Sequence, residues 1–232
     1  PGGQRVMASE IKQGTLDLIN HLPILQVVTP MLIAPVLVVL NNKTFSWLLS
    51  FAGALACLFI SVLLIQAVSD GSTLTYYLGG WVPPIGIEYR IDAANAILLF
   101  LISIISAVVL IFSYSSLHAE IPGDKHTLFY ACFLLCLTGL LGVVATADIF
   151  NVFVFLEISS LSTYVLVAQG SYLDRRALSA SFNYLIMGTI GATFFVIGIG
   201  YIYMATGSLN MIDIAERVSQ LGDNRTIQAG FA

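Results

Sequence analysis

One acid stands where acids are costly. In the stretch ATADIFNVFVFLEISSLSTYVLV, residues 145–167, Glu157 lies near the middle of a run apolar enough to cross a bilayer. If Asp148 caps a helix there, Glu157 falls about 13 Å along its axis, at ~1.5 Å per residue, close to the midplane of a ~30 Å hydrocarbon core. An ionised carboxylate at that depth costs on the order of 3 kcal/mol. Burial favours the neutral form and a nearby cation the charged one, so an acid balanced between them can load and release protons. The plainer alternative is a protonated Glu157 bonded to a backbone carbonyl. Ser160 and Tyr164 share its helix face and are candidates to line a hydrated path. Asp148 reads first as a helix cap, where a carboxylate meets free N–H groups, and second as the mouth of an ion path.

Glu157 needs a countercharge, and the apolar spans hold none: all nine Lys and Arg residues fall in tails or connections. The partner is expected beyond these residues, later in a longer chain or on another subunit. Other chemistry is poorly represented. Cys57, Cys132 and Cys136 lie inside apolar runs, too few for a disulfide framework. Cys132 and Cys136 share a helix face, but no His or second Cys pair joins them as a metal site. His21, His118 and His126 fall at span ends or in loops and read as solvated interfacial residues. No Gly-rich phosphate loop, Cys-x-x-Cys or nucleophile arrangement occurs, so no catalytic residue, cofactor or metal is expected. A net charge of −4 without a basic cluster argues against nucleic acid.

The elements that must position Glu157 follow from hydropathy. At 58% hydrophobic and 9% charged, the 232 residues describe an integral membrane protein. The pattern predicts an all-α, polytopic transmembrane helix bundle with six spans, at about 22–40, 47–68, 93–114, 128–147, 149–167 and 184–204. Residues 1–21 form a polar tail, ending at most in a surface turn of helix, and Met7 is a candidate start with no cleaved signal peptide. The first span contains Pro23, Pro30 and Pro35, so neighbouring helices must satisfy the carbonyls those prolines free. NNKT at 41–44 is a tight turn, and Trp47 is placed as an interfacial anchor. Alternation at Ile85, Ile87, Tyr89 and Ile91, after Gly79-Gly80 and Pro83-Pro84, suggests a surface β-hairpin within 74–92. Trp81, Tyr76 and Tyr77 fit the headgroup layer. Gly188 and Ala192 would let another helix approach closely.

After Gly207, residues 208–221 place Leu209, Ile212, Ala215 and Val218 on one stripe, a short amphipathic helix lying in the interface. A further span begins as the sequence ends. Lys43, Lys125, Arg175 and Arg176 lie in odd-numbered connections, which favours those facing the cytoplasm and the N-terminus facing out.

The segment around Glu157, with FNYLIMGTIGATFFVIGIGYIYMATGSLNMIDIA and more loosely YYLGGWVPPIGIEYRID, resembles the antiporter-like subunits of Mrp-type multisubunit cation/proton antiporters and of respiratory complex I. The Mrp D subunit is the nearest match by these motifs, over residues 74–220. The resemblance implies some fourteen helices in two inverted five-helix repeats, with Glu157 coupled to a lysine on a broken seventh helix. Residues 22–114 would then be leading helices, and 115–232 an incomplete first repeat. Asn183 stands where many relatives have Lys, which leaves a second charge from the sixth helix in doubt. The implied function is proton translocation with other membrane subunits, exchanging protons for Na+ or a similar cation in a bacterial inner membrane. The alternatives are a proton-pumping subunit of complex I or a membrane-bound hydrogenase, and, in another class, a passive assembly subunit.

Overall fold

The computed structural model describes residues 2–221 and 224–232, with side chains described from residue 20 onward. Helices α1 (Gly2–Leu40), α2 (Lys43–Val68), α3 (Ala93–Glu120), α4 (His126–Ala145), α5 (Ile149–Gln169) and α6 (Arg176–Thr206) carry six segments long and apolar enough to cross a membrane. They match the six expected spans. A small hairpin, β1 (Leu74–Tyr77) and β2 (Glu88–Ile91), sits between α2 and α3, and two short helices, α7 (Met211–Leu221) and α8 (Arg225–Phe231), follow α6.

The ends differ from expectation for local reasons. The polar residues ahead of the first span are helical from Gly2 onward, continuous with the span. The NNKT turn contracts to Asn41 and Asn42: Asn41 takes a left-handed φ of 42°, and Asn42 caps α2 by accepting the Phe45 N–H at 3.3 Å. Helix α3 runs six residues past Tyr114, since nothing breaks it until Pro122. Helix α6 starts at Arg176, eight residues before Tyr184, with the Asp174 carboxylate accepting the Arg176 N–H at 2.9 Å. It ends at Gly207, whose φ of 68° suits a left-handed C-terminal cap.

The core lies among α1 to α4. Of α4's most apolar window 56% is buried, against 11% of α6's, so α4 is the central post and α6 the peripheral one. Inside, the carbonyl of Gln26, which Pro30 deprives of its helical donor, accepts the Cys57 S–H at 3.7 Å, and the Gln26 amide donates to Ser103 at 3.1 Å. Trp47, expected as an interfacial anchor, donates its N–H to the Leu110 carbonyl at 2.9 Å and ties α2 to α3.

In the hairpin, Leu74 pairs with Ile91 and Tyr77 with Glu88. Ile85 and Ile87 fall outside the strands. The connection folds back so tightly that a Cβ on Gly86 would strike the Trp81 backbone, and this takes Ile85 out of the alternation. The stripe on α7 also rotates: Ile214, absent from the expected stripe, is the buried residue, while Ala215 is exposed. With Met211, Ile212, Ile214, Ala215 and Val218 all apolar, the pattern admits either facing. In the facing seen, Met211, Ile214, Ala215 and Val218 border a cavity together with Ile149 and Phe231.

Helices α4 and α5 pack closest through Gly139 and Gly142. A Cβ on Gly142 would clash with the Phe155 ring, and one on Gly139 would come within 2.6 Å of the Phe155 carbonyl oxygen. Gly142→Ala is therefore expected to destabilise the bundle by about 1–3 kcal/mol. Gly191→Ala, with nothing within 4 Å, should not. Denaturant unfolding in detergent compares the two; equal effects would contradict this packing.

Candidate functional site

Helix α5 is started by its own sequence. The Asp148 carboxylate accepts the Asn151 N–H at 2.7 Å, and the Asp148 carbonyl accepts the first helical bond from Val152 at 3.0 Å. Burial pushes the Asp148 carboxyl above its usual range, partly offset by backbone N–H bonds from Asn151 and Phe150. Nine residues on, Glu157 is half-buried, with no hydrogen bond or ion pair among the described residues. Ser160, also half-buried, likewise has no hydrogen bond among them. Ser162 and Thr163 donate to carbonyls four residues back in their own helix, and Cys136 of α4 meets the Thr163 hydroxyl at 3.4 Å.

Tyr164 fixes the direction in which Glu157 faces. It lies two turns on, on the same side of α5, with its ring 5.0 Å from Tyr184 and its hydroxyl seated over Gly188 of α6. One turn before Glu157, Phe153 stacks 6.5 Å from Phe195, again on α6. Glu157 thus sits between two α5–α6 contacts, on a side where α6 offers apolar and small residues and no cation. The close approach expected at Gly188 is made by Tyr164. Asn183 is exposed, and Lys125 and Arg217 pair with Asp124 and Asp213 at the surface.

A second polar group was not legible in the sequence. The connection between α4 and α5 lies between β2 and the residues ahead of α7, forming an irregular extension of the hairpin. Tyr89 bridges Thr146 and Asp148 bridges Asn210, both antiparallel. Ala147 N donates to Glu88 O, Met211 N to Ala147 O and Ile149 N to Leu209 O, each at 2.9 Å. Within this ribbon the buried Glu88 carboxylate accepts the Asn210 side-chain amide at 2.8 Å. Alternation puts Glu88 on the face of β2 opposite Tyr89 and Ile91, yet it is buried as they are, so both faces of β2 are largely enclosed. The Tyr89 phenol, also enclosed, is pushed by burial up to about 12 against the lowering effect of the Asn151 side chain. Asn210 did carry a signal, an Asn immediately before an apolar helix.

Of the histidines, His21 and His118 are exposed. His126 is buried, its Nε2 2.9 Å from the Ile121 carbonyl and its ring 4.8 Å from that of His118, which corrects the solvated reading for that residue.

With this geometry in place, the likenesses to known proteins are specific. Residues 146–231, from the α4–α5 connection through α8, match the family described as NADH:quinone oxidoreductase/Mrp antiporter, transmembrane. The chain is 41% identical over 210 residues to the NADH-quinone oxidoreductase subunit N of Desulforudis audaxviator (strain MP104C), covering 89% of this chain and 41% of that protein. It is 32% identical over 212 residues to a protein of Staphylococcus aureus (strain MRSA252) described as antiporter subunit mnhD2, covering 90% and 41%. Among solved structures it superposes with TM-score 0.82 and 33% identity on a chain of the membrane-bound sulfane sulfur reductase, an archaeal respiratory membrane complex, covering 90% of this chain and 42% of that one. With a chain of the Mrp complex from Dietzia sp. DQ12-45-1b it shares the fold, with TM-score 0.75 and 22% identity over 92% and 39%. The chain spans about two fifths of the length of these relatives. Its likeness is thus to antiporter and complex I-type membrane subunits. Identity is higher with the subunit N relative than with the antiporter one, so it does not single out the D subunit.

The cap is testable by itself. Asp148→Ala should cost about 1 kcal/mol, since the α5 N–H groups lose their acceptor. Asp148→Asn keeps an acceptor oxygen and removes a carboxylate whose charged form burial disfavours. A raised folded pKa means that the acid lowers stability as pH rises through and above its carboxylate range. Asp148→Asn should therefore match or exceed wild type at pH 7 and lose that advantage below the carboxylate range. Thermal unfolding across pH checks both, and an Asn variant as damaged as Ala would contradict the assignment.

Proposed function

We propose that the chain forms part of a proton-translocating, antiporter-like subunit of a multisubunit monovalent cation/proton antiporter. Protonation of Glu157 is coupled there to a lysine outside the described residues and to ion movement in neighbouring subunits. The observation that carries this reading is the Glu157 carboxylate in the middle of an apolar span, within the family-matched segment and with no partner among the described residues. Asp148, Ser160 and Tyr164 are the candidates to line its path, Asp148 at the helix start and Tyr164 against α6. The ions are protons and Na+ or a similar cation, and the setting is a bacterial inner membrane.

A second reading has specific support. Higher identity to the subunit N relative, and the superposition on a chain of an archaeal respiratory complex, favour a proton-pumping subunit whose driving redox chemistry belongs to other chains. Glu157 has the same role there, and only the source of energy differs.

Glu157→Gln keeps the shape and removes the charge. In the complete complex it should assemble normally and reduce proton-coupled transport to the level of membranes lacking the complex, as read by a vesicle pH-gradient assay. Transport at the wild-type rate would overturn the role of Glu157 and leave a passive assembly subunit. Dependence of transport on an imposed cation gradient or on an electron donor separates the two energy sources.

A further inference from the structure

We infer that the Glu88–Asn210 hydrogen bond is a positioning clasp that holds the start of α5, and with it Glu157, at its depth in the membrane. This rests on the reading of Glu157 given above. Both residues are almost fully enclosed, Glu88 5% and Asn210 3% exposed, and they are 122 positions apart in the chain. The orientation of the Asn210 amide is set by its surroundings. Its Oδ1 accepts the N–H groups of Ile212 at 3.0 Å and Asp213 at 3.2 Å, capping α7, which leaves Nδ2 to face the Glu88 carboxylate. The backbone N–H of Asn210 donates to Ser208 Oγ at 3.3 Å, and the Ser208 hydroxyl donates to the Asp213 carboxylate at 3.2 Å.

The clasp closes over the 146–148 segment. Ala147 donates to the Glu88 carbonyl on one edge and accepts from Met211 on the other, while Asp148, the α5 cap, bridges Asn210. Three connections are thereby fastened together at one end of the bundle: those leading into α3, from α4 into α5, and from α6 into α7. From Asp148 to Glu157 the chain is continuous helix, so whatever fixes the cap fixes the depth of the carboxylate. Glu88 and Asn210 touch no transported ion in this scheme. They act through α5.

Exchanging the two polar groups tests the clasp. Asn210→Asp keeps an oxygen to cap α7 but sets two carboxylates face to face. Glu88→Gln alone retains an oxygen that still accepts from Asn210. The double variant Glu88→Gln with Asn210→Asp restores the bond with donor and acceptor reversed. In the complete membrane complex, Asn210→Asp should slow transport about tenfold and speed hydrogen–deuterium exchange in peptides spanning 146–153. Glu88→Gln should do neither, and the double variant should return both to near wild type. Faster exchange with undiminished transport would make the ribbon purely structural and overturn the inference. A double variant as slow, or as poorly assembled, as Asn210→Asp would overturn it too. Failure of the Glu157 reading registers separately, as full transport in Glu157→Gln, while the exchange measurement does not depend on transport.

Discussion

In hydrocarbon a polar group without a partner is expensive, and this bundle repeatedly meets that cost with whatever side chain lies nearest. Cys57 donates to the carbonyl that Pro30 strands, Trp47 to a carbonyl of α3, and serines and threonines to their own preceding turns. Against that pattern Glu157 is an exception with the largest stake, since it is an acid and the stretch of α6 it faces, between Gly188 and Phe195, supplies no cation. A polypeptide that tolerates such a residue does so because something else completes it or because it changes state. Both conditions are met if a cationic neighbour completes it and protonation changes its state.

The two ends of the bundle are built differently. At one end no backbone hydrogen bond joins the connections among the described residues: a two-residue turn before α2, a Pro-Gly turn before α4, and a short turn before α6. At the other, the hairpin, the α4–α5 connection and the segment ahead of α7 form one hydrogen-bonded ribbon. Because α5 begins inside that ribbon, its register is determined by contacts made far away in sequence. Helix α5 is thus anchored at its start. Beyond that, it touches α4 through glycines and α6 through aromatic rings.

What could be read in advance was what depends on near neighbours. Six apolar runs became six helices, and Asp148 sits where a cap belongs. Glu157 stood out as an acid in an apolar run. What could not be read depends on distant segments. Glu88 lies on the face of β2 opposite Tyr89 and Ile91, yet it is enclosed as they are. Its bond to Asn210 spans 122 positions, a separation that no local pattern encodes. The facing of α7 and the burial of His126 were settled by packing between several compatible choices. Helix α6 begins early because RRALSASF offers no breaker, whereas hydropathy alone saw only its apolar portion.

The most direct measurement is an experimental structure of the chain in its native membrane assembly that resolves the surroundings of Glu157. The prediction is a Lys or Arg nitrogen, from outside these residues, within about 4 Å of the Glu157 carboxylate or joined to it through a water. A carboxylate facing lipid, or bonded only to the backbone of its own bundle, would contradict it.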